Sequence, residues 1–285
     1  MKQRRIGDRD VSAIGLGGMP LSIEGRPDEA RAIATIHAAL DAGVTLIDTA
    51  DAYHLTATDV GHNELVIAKA LRLAGAGPDD VLVATKGGHR RPGDGSWYVQ
   101  GDAAYLKTAC EASLQRLDVE AIGLYQFHRP DPSVPYEESV GAVRDLLDEG
   151  KILMAGISNA NPDQIRLAQK VLGDRLVSVQ NQFSPAFRSS EPELELCAEL
   201  GIAFLPWSPL GGISRAGDLG NRFEAFATVG AQRGVSPQQV CLAWELAKAP
   251  VVIPIPGASR PESIRDSALA AELELTADEL ALIEA

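Results

Sequence analysis

Eight short apolar, β-rich runs recur along the chain, and the segments between them carry apolar residues at helical spacing. The runs are SAIGLGG (12–18), VTLIDTA (44–50), VLVATK (81–86), IGLYQFH (122–128), ILMAGISN (152–159), LVSVQNQF (176–183), IAFLPWSP (202–209) and VVIPIPG (251–257). In DEARAIATIHAALDAG (28–43), Ala30, Ile33, Ala34, Ile36, His37 and Leu40 form one helical face and Gly43 ends it. AYLKTACEASLQRL, EESVGAVRDLLDEG, PDQIRLAQKVLG, PELELCAELG and PQQVCLAWELA read the same way, several opening on Pro, Asp or Ser and closing on Gly. The strand runs are near-continuously apolar rather than alternating, which predicts parallel strands covered on both sides. Eight strands alternating with about eight helices, without a linker or compositional break, predict a (β/α)8 TIM barrel forming one domain over residues 1–285. RRIGDRDVSAI at the start predicts a short β-hairpin turning at Gly7–Asp8 and plugging the barrel floor. A doubly wound open sheet is the alternative, but GLGGMPLS breaks the G-x-G-x-x-G turn that such a sheet usually carries.

Composition narrows the partners. A net charge of −13 argues against a nucleic-acid surface, and any anionic ligand must be held by local donors rather than by the overall field. No apolar stretch approaches a membrane span, and no signal-peptide segment follows the basic start, so a cytoplasmic protein is expected. Cys110, Cys197 and Cys241 are far apart and odd in number, which predicts neither a disulfide framework nor a metal site. Cys110 shares a helical face with Leu106, Leu114 and Leu117 and reads as a core residue.

In such a barrel, chemistry sits at the C-terminal ends of the strands. The second run ends in Asp48, with Tyr53 just beyond; the third ends in Lys86 and the fourth in His128. The fifth ends in Ser158 and Asn159, the sixth carries Gln180 and Asn181, and the seventh ends WSPLGG. Asp, Tyr, Lys and His on three consecutive strands are titratable groups of complementary type, the pattern expected of an active site. A phenol is a poor acid near neutral pH until it is tuned. A lysine ammonium about 4 Å away favours the phenolate by roughly 4 kcal/mol, or about three pKa units, which would bring Tyr53 close to working pH. Asp48 would keep Lys86 charged, while Asp51 reads as a turn or cap residue. His128 would orient a carbonyl oxygen. The four together suit giving a proton to a forming alkoxide, or taking one from an alcohol.

A proton donor does not reduce a carbonyl unless a hydride also arrives from a cofactor. Over nearly its whole length the chain resembles the aldo-keto reductases. The resemblance rests on G-L-G-G-M, D-T-A-D-A-Y, the T-K-G-G turn, L-Y-Q-F-H-R-P-D-P, G-K-I-L-M-A-G-I-S-N, V-Q-N-Q-F, P-W-S-P-L-G-G and P-I-P-G-A-S-R, in that order. It implies a catalytic tetrad of Asp48, Tyr53, Lys86 and His128. It also implies nicotinamide contacts from Ser158, Asn159 and Gln180, with the ring of Trp207 stacked on the nicotinamide. Gly18 is among the cofactor-binding residues it implies. Ser208, Pro209, Leu210 and Gly211 match the loop along the pyrophosphate, and Gly257, Ser259 and Arg260 match the adenosine-phosphate end.

Where that family carries an Arg and then Glu-Asn after the last motif, this chain has Ser263, Asp266 and Ser267. With Arg260 retained, the expected cofactor is NADPH, with NADH as the second choice. The stretch GGISRAGDLGNRFEAFATVGAQRG after strand seven reads as a short loop, one that would leave the cofactor readily exchanged. Met19 and Trp97 are the expected substrate contacts, Trp97 from the polar loop GGHRRPGDGSWYVQG. His54 is expected to touch a ligand or to be exposed. The expected partner is a small carbonyl compound, an aromatic or pyridoxal-like aldehyde by resemblance. Two other readings remain open: a nicotinamide-binding regulatory or scaffold subunit with little turnover, and an aldolase using Lys86 as a Schiff-base amine.

Overall fold

The computed structural model describes residues 1–285. Its strands are β1 (Gln3–Ile6), β2 (Arg9–Ser12), β3 (Leu16–Gly17), β4 (Leu46–Asp48), β5 (Leu82–Gly87), β6 (His89–Arg90), β7 (Tyr98–Val99), β8 (Ile122–Phe127), β9 (Ile152–Ser158), β10 (Leu176–Gln180) and β11 (Ala203–Phe204). Its helices are α1 (Glu29–Asp41), α2 (His62–Ala74), α3 (Ala103–Leu117), α4 (Tyr136–Asp148), α5 (Pro162–Leu172), α6 (Glu191–Leu200), α7 (Leu219–Arg222), α8 (Glu224–Arg233), α9 (Pro237–Lys248), α10 (Pro261–Leu269) and α11 (Ala277–Glu284). Seven strands form one parallel sheet in the order β11-β10-β9-β8-β5-β4-β3.

The eighth run, residues 251–257, closes this sheet into a (β/α)8 barrel. Phe204 pairs with Val252 on one side, and Gly17 with Gly257 on the other. Ile253 and Ile255 donate to the carbonyls of Phe204 and Pro206, while Gly15 and Gly17 donate to the carbonyls of Pro254 and Pro256. The two prolines thus sit where their missing N–H groups would face β3, so the segment keeps its acceptors there and loses its donors. Gly17 has no room for a side chain, since a Cβ would stand 2.7 Å from the Ile255 carbonyl oxygen.

Every second strand residue points inward. At the floor these inward residues are apolar: Leu46, Leu82, Leu124, Met154, Ala203 and Ile253 form one cluster, into which Ile6 and Val11 of the β1–β2 hairpin insert as the plug. Further along, the same rows turn polar, two residues on at Asp48 and Gln126 and four on at Lys86, which is how these three come to share the upper mouth. Outside the barrel the helices bury a larger cluster, in which Trp244 stacks on Phe183 with ring centroids 5.5 Å apart. Local chemistry sets the helix starts: the side chains of Asp28, Asp102, Asn161, Ser236 and Thr276 each accept from a backbone N–H of the first turn.

Two segments differ from the expectation. The stretch after strand seven is not a plain loop, because it winds into α7 and α8. Its apolar residues are sparse and two glycines, Gly220 and Gly230, interrupt it, which hides the helical spacing. The loop carrying Trp97 folds back as the β6–β7 pair, with His89 opposite Val99 and Arg90 opposite Tyr98. No helix is long and apolar enough to cross a membrane.

Candidate active site

A cleft of about 880 Å3 opens at the C-terminal ends of the strands. It runs from Tyr53, His128 and Trp97 past Ser158, Asn159, Gln180 and Trp207 to Arg260 and the start of α10.

Lys86 is wholly buried beneath this cleft. Its Nζ donates to Asp48 Oδ1 at 2.6 Å, to the Thr49 carbonyl at 2.8 Å and to the Tyr53 hydroxyl at 3.2 Å. β4 and β5 make this contact: Asp48 pairs with Ala84, and Lys86 follows two residues later on the same inward row. The other carboxylate oxygen of Asp48 accepts from Gln180 at 2.8 Å and from Gln126 at 3.3 Å. Burial disfavours the charge on Lys86, but Asp48 and Tyr53 outweigh it and raise the lysine pKa, so the ammonium persists.

Tyr53 behaves differently from the expectation. Burial raises its pKa, and the field of Lys86, partly cancelled by Asp48, does not bring it down. The phenol therefore holds its proton at neutral pH. Because its oxygen accepts from Lys86, its own proton is left to point elsewhere. The ring meets that of His128 edge-on, centroids 5.9 Å apart. Burial, together with Lys86, His89 and Arg129, holds the His128 pKa well below the usual range, so the imidazole is neutral and its buried Nδ1 has no partner.

Along the next wall, Ser158 Oγ donates to the Gln180 carbonyl at 2.7 Å, and Asn159 Nδ2 donates to Ser158 Oγ at 2.9 Å and to the His128 carbonyl at 3.0 Å. Trp207 Nε1 reaches Asn159 Oδ1 at 3.3 Å. Asn159 and Ser208 both line the cleft with positive φ, at 57° and 53°, conformations a non-glycine residue adopts at some cost. Such strain at two neighbouring cleft positions, with Gly17 and Gly257 admitting the backbone closely, fits an extended ligand passing along Trp207–Leu210.

Most of the expected site residues border this cleft: Asp48, Tyr53, His128, Ser158, Asn159, Gln180, Trp207, Ser208, Pro209, Leu210, Gly257, Ser259, Arg260, Met19 and Trp97. Lys86 lies behind it. Gly18 and Gly211 do not line it. A Cβ on Gly18 would meet Asn63 Oδ1 at 2.6 Å and the Asp48 carbonyl at 2.8 Å, so this glycine serves packing. Gly211 donates to the Ser208 carbonyl and closes a turn at φ 84°. Next to it lies Arg222, whose buried Nη1 has no partner and which the sequence reading passed over. His54 is neither exposed nor at the cleft; it is buried and bonded through Nδ1 to the Thr56 carbonyl at 2.7 Å. Asp51 sits in a turn, as expected, but caps no helix: it is buried and accepts from Tyr105 at 3.0 Å, and burial and Glu64 push its pKa up to about 7.

Sequence reading also missed His89 and Gln126. Gln126 was findable, two residues before His128 on the same inward row. His89 reaches the cleft only because the β6–β7 pair folds Trp97 against it, centroids 4.7 Å apart. At the far end Glu262, Ser263, Asp266 and Ser267 join Arg260, whereas Arg265 does not line the cleft. Asp266 is held by Ser236 Oγ at 2.6 Å and Gln239 Nε2 at 2.5 Å.

A protonated phenol backed by a lysine–aspartate pair, beside a neutral imidazole at the mouth of a barrel, has the chemistry to pass a proton to or from an oxygen placed against it. The model of the Aldo/keto reductase family matches residues 13–285. An uncharacterized oxidoreductase of Schizosaccharomyces pombe is 32% identical over 286 residues, covering 98% of this chain and 88% of that protein. A probable aldo-keto reductase of Glycine max is 33% identical over 299 residues, covering 95% of this chain and 84% of the relative. The crystal structure of an aldo/keto reductase from Klebsiella pneumoniae, in complex with NADP and acetate, superposes with a TM-score of 0.82 at 28% identity, covering 99% and 94% of the two chains. This chain belongs to the aldo/keto reductase family.

Proposed function

We propose that this chain, acting as one domain over residues 1–285, reduces an aldehyde or ketone to the alcohol with NADPH as reductant and Tyr53 as proton donor. The observation that carries the reading is the triple contact of Lys86 with Asp48, Thr49 and Tyr53 beneath the cleft. NADPH, when bound, supplies the hydride. Ser158, Asn159, Gln180 and Trp207 would hold its nicotinamide, Ser208, Pro209 and Leu210 its pyrophosphate, and Gly257, Ser259 and Arg260 its adenosine phosphates. The NADP bound by the Klebsiella relative supports this choice of cofactor.

The chain's own residues then divide the work. Tyr53 gives its proton to the substrate oxygen and becomes a phenolate, which the ammonium of Lys86 stabilises. Asp48 keeps Lys86 charged, and the amides of Gln180 and Gln126 keep Asp48 in place. His128, being neutral, offers an N–H without competing as an acid. Met19 and Trp97 border the same cleft and support an aromatic or pyridoxal-like aldehyde as substrate.

The test follows reduced-nicotinamide absorbance with NADPH and, separately, NADH against a panel of aldehydes including pyridoxal. Tyr53→Phe should lower kcat about 10²- to 10⁴-fold while the cofactor still binds. Tight cofactor binding without turnover of any aldehyde would overturn the proposal in favour of a regulatory or scaffold role.

A further inference from the structure

We infer that the substrate end of the cleft receives a carbonyl compound that also bears an oxyanion, a carboxylate or a phosphate, and that Arg129 binds that group. The inference rests on the reductase reading above and narrows its substrate.

Arg129 directly follows His128 past the end of β8, and both line the cleft. It is half-buried, its Nε is buried without a hydrogen-bond partner, and burial lowers its pKa with no carboxylate acting in the other direction. The other arginines of this end are engaged. Arg91 donates to Glu24 and to the His54 carbonyl, and lies over the Trp97 ring. Arg90 donates to Gln100 at 2.8 Å and lies over the rings of Tyr98 and Tyr105. The charge of Lys86 is answered by Asp48. Of these cations only Arg129 has neither a hydrogen bond nor an ion pair, and burial, helped by its field, holds His89, at about 4, and His128 in their neutral forms.

A partly desolvated guanidinium with an unmet N–H is costly to keep. The chain has 39 acidic residues, so a partner was readily available to it. The Nε is closed off, but the two Nη groups are accessible and unbonded, and an oxyanion on the ligand can meet them, because a guanidinium presents a planar fork that matches carboxylate and phosphate oxygens. It also answers the problem posed by a net charge of −13: an anionic substrate must be met by a local donor. The ring of His128 stands 5.9 Å from that of Tyr53, and Arg129 lines the same cleft, so one bifunctional compound lying in it can meet both the phenol and the guanidinium. Trp97 against His89, with Met19, supplies apolar surface for the carbon skeleton.

Calorimetric titration of the wild-type protein saturated with NADP+ tests this without any substitution, using benzoate, phenyl phosphate and neutral benzamide. One of the anions should bind at least about tenfold more tightly than benzamide. The better of the two separates a carboxylate from a phosphate source, and equal affinity for all three overturns the inference. In parallel, kcat/KM is compared for succinic semialdehyde, glyceraldehyde 3-phosphate and butanal. In Arg129→Met the ratio of the preferred anionic aldehyde to butanal should fall about 10- to 100-fold, with partial recovery in Arg129→Lys. An unchanged ratio refutes the assignment. Turnover of butanal without preference for either anion defeats this inference alone, whereas no turnover of any of the three defeats the reductase reading. Should Arg129→Met fail to fold, the same ratio is read in Arg129→Gln, which removes the charge and keeps a polar head.

Discussion

Replacing Lys86 with methionine keeps the bulk of a wholly buried side chain and removes its charge. Two separate losses are expected. In the folded state Asp48 would retain only the amides of Gln180 and Gln126 as side-chain donors, and breaking a buried ion pair from one side costs about 3–5 kcal/mol of stability. For turnover, a cation 3.2 Å from the phenol oxygen favours the phenolate by about 5 kcal/mol at an effective dielectric near 20. Asp48 cancels part of that field. With roughly half surviving, the loss is about 2.5 kcal/mol, or about 70-fold in rate. The assay is single turnover of an aldehyde at saturating NADPH, alongside urea unfolding. Adding Asp48→Asn separates the two losses, because replacing both partners should restore most of the stability and none of the rate. A single-turnover rate lowered less than about fivefold in Lys86→Met, with cofactor still bound, would refute the role given to the lysine.

Three further substitutions probe other parts of the molecule. Asp51, with a folded pKa of about 7 against about 4 in the unfolded chain, holds a proton that the unfolded state releases. Stability should therefore fall as pH rises from about 4 to 7 and level off above that, by roughly 4 kcal/mol at most. Asp51→Asn should flatten that slope, so urea unfolding at pH 5 and pH 8 should show a larger gain over wild type at pH 8; equal gains would sink the assignment. Glu245 is fully buried, both its oxygens lack partners, and burial raises its pKa well above the carboxylate range. Glu245→Met should therefore raise stability by about 1–3 kcal/mol, and a lower Tm would mean that the carboxyl has a partner. Arg260 is the cation beside Glu262 and Asp266 at the far end of the cleft. Arg260→Ala should raise KM for NADPH about tenfold more than KM for NADH, and parallel changes in the two would show that it does not meet the 2′-phosphate.

The barrel was legible because its strands announce themselves as apolar runs and its helices by their caps and spacing. The Asp48–Lys86–Tyr53 contact was legible for a related reason: residues at the ends of neighbouring parallel strands must converge. What escaped was set by side chains meeting across long sequence separations. Tyr105 finds Asp51 from 54 positions away, and nothing in D-T-A-D-A-Y distinguishes a cap aspartate from one buried against a phenol. His54 looks like a ligand residue beside Tyr53 until the loop turns it onto Thr56. The tuning of Tyr53 was misjudged because a charge can be read from sequence while desolvation cannot. The sequence weighed the lysine and missed the burial that outweighs it.

The cylinder of strands has a junction, and the junction is unequal. Toward β3, Pro254 and Pro256 offer carbonyls only, so Gly15 and Gly17 donate to these two residues and receive nothing back from them. The groove above crosses this junction, with Gly17 bordering it from one side and Gly257 from the other. A long molecule lying in the groove is therefore a buckle between the two ends of the sheet. A ligand that binds only the closed wall stabilises it by RT ln(1 + [L]/Kd). Filling the groove therefore favours the closed cylinder by as much as the ligand prefers it to an open one.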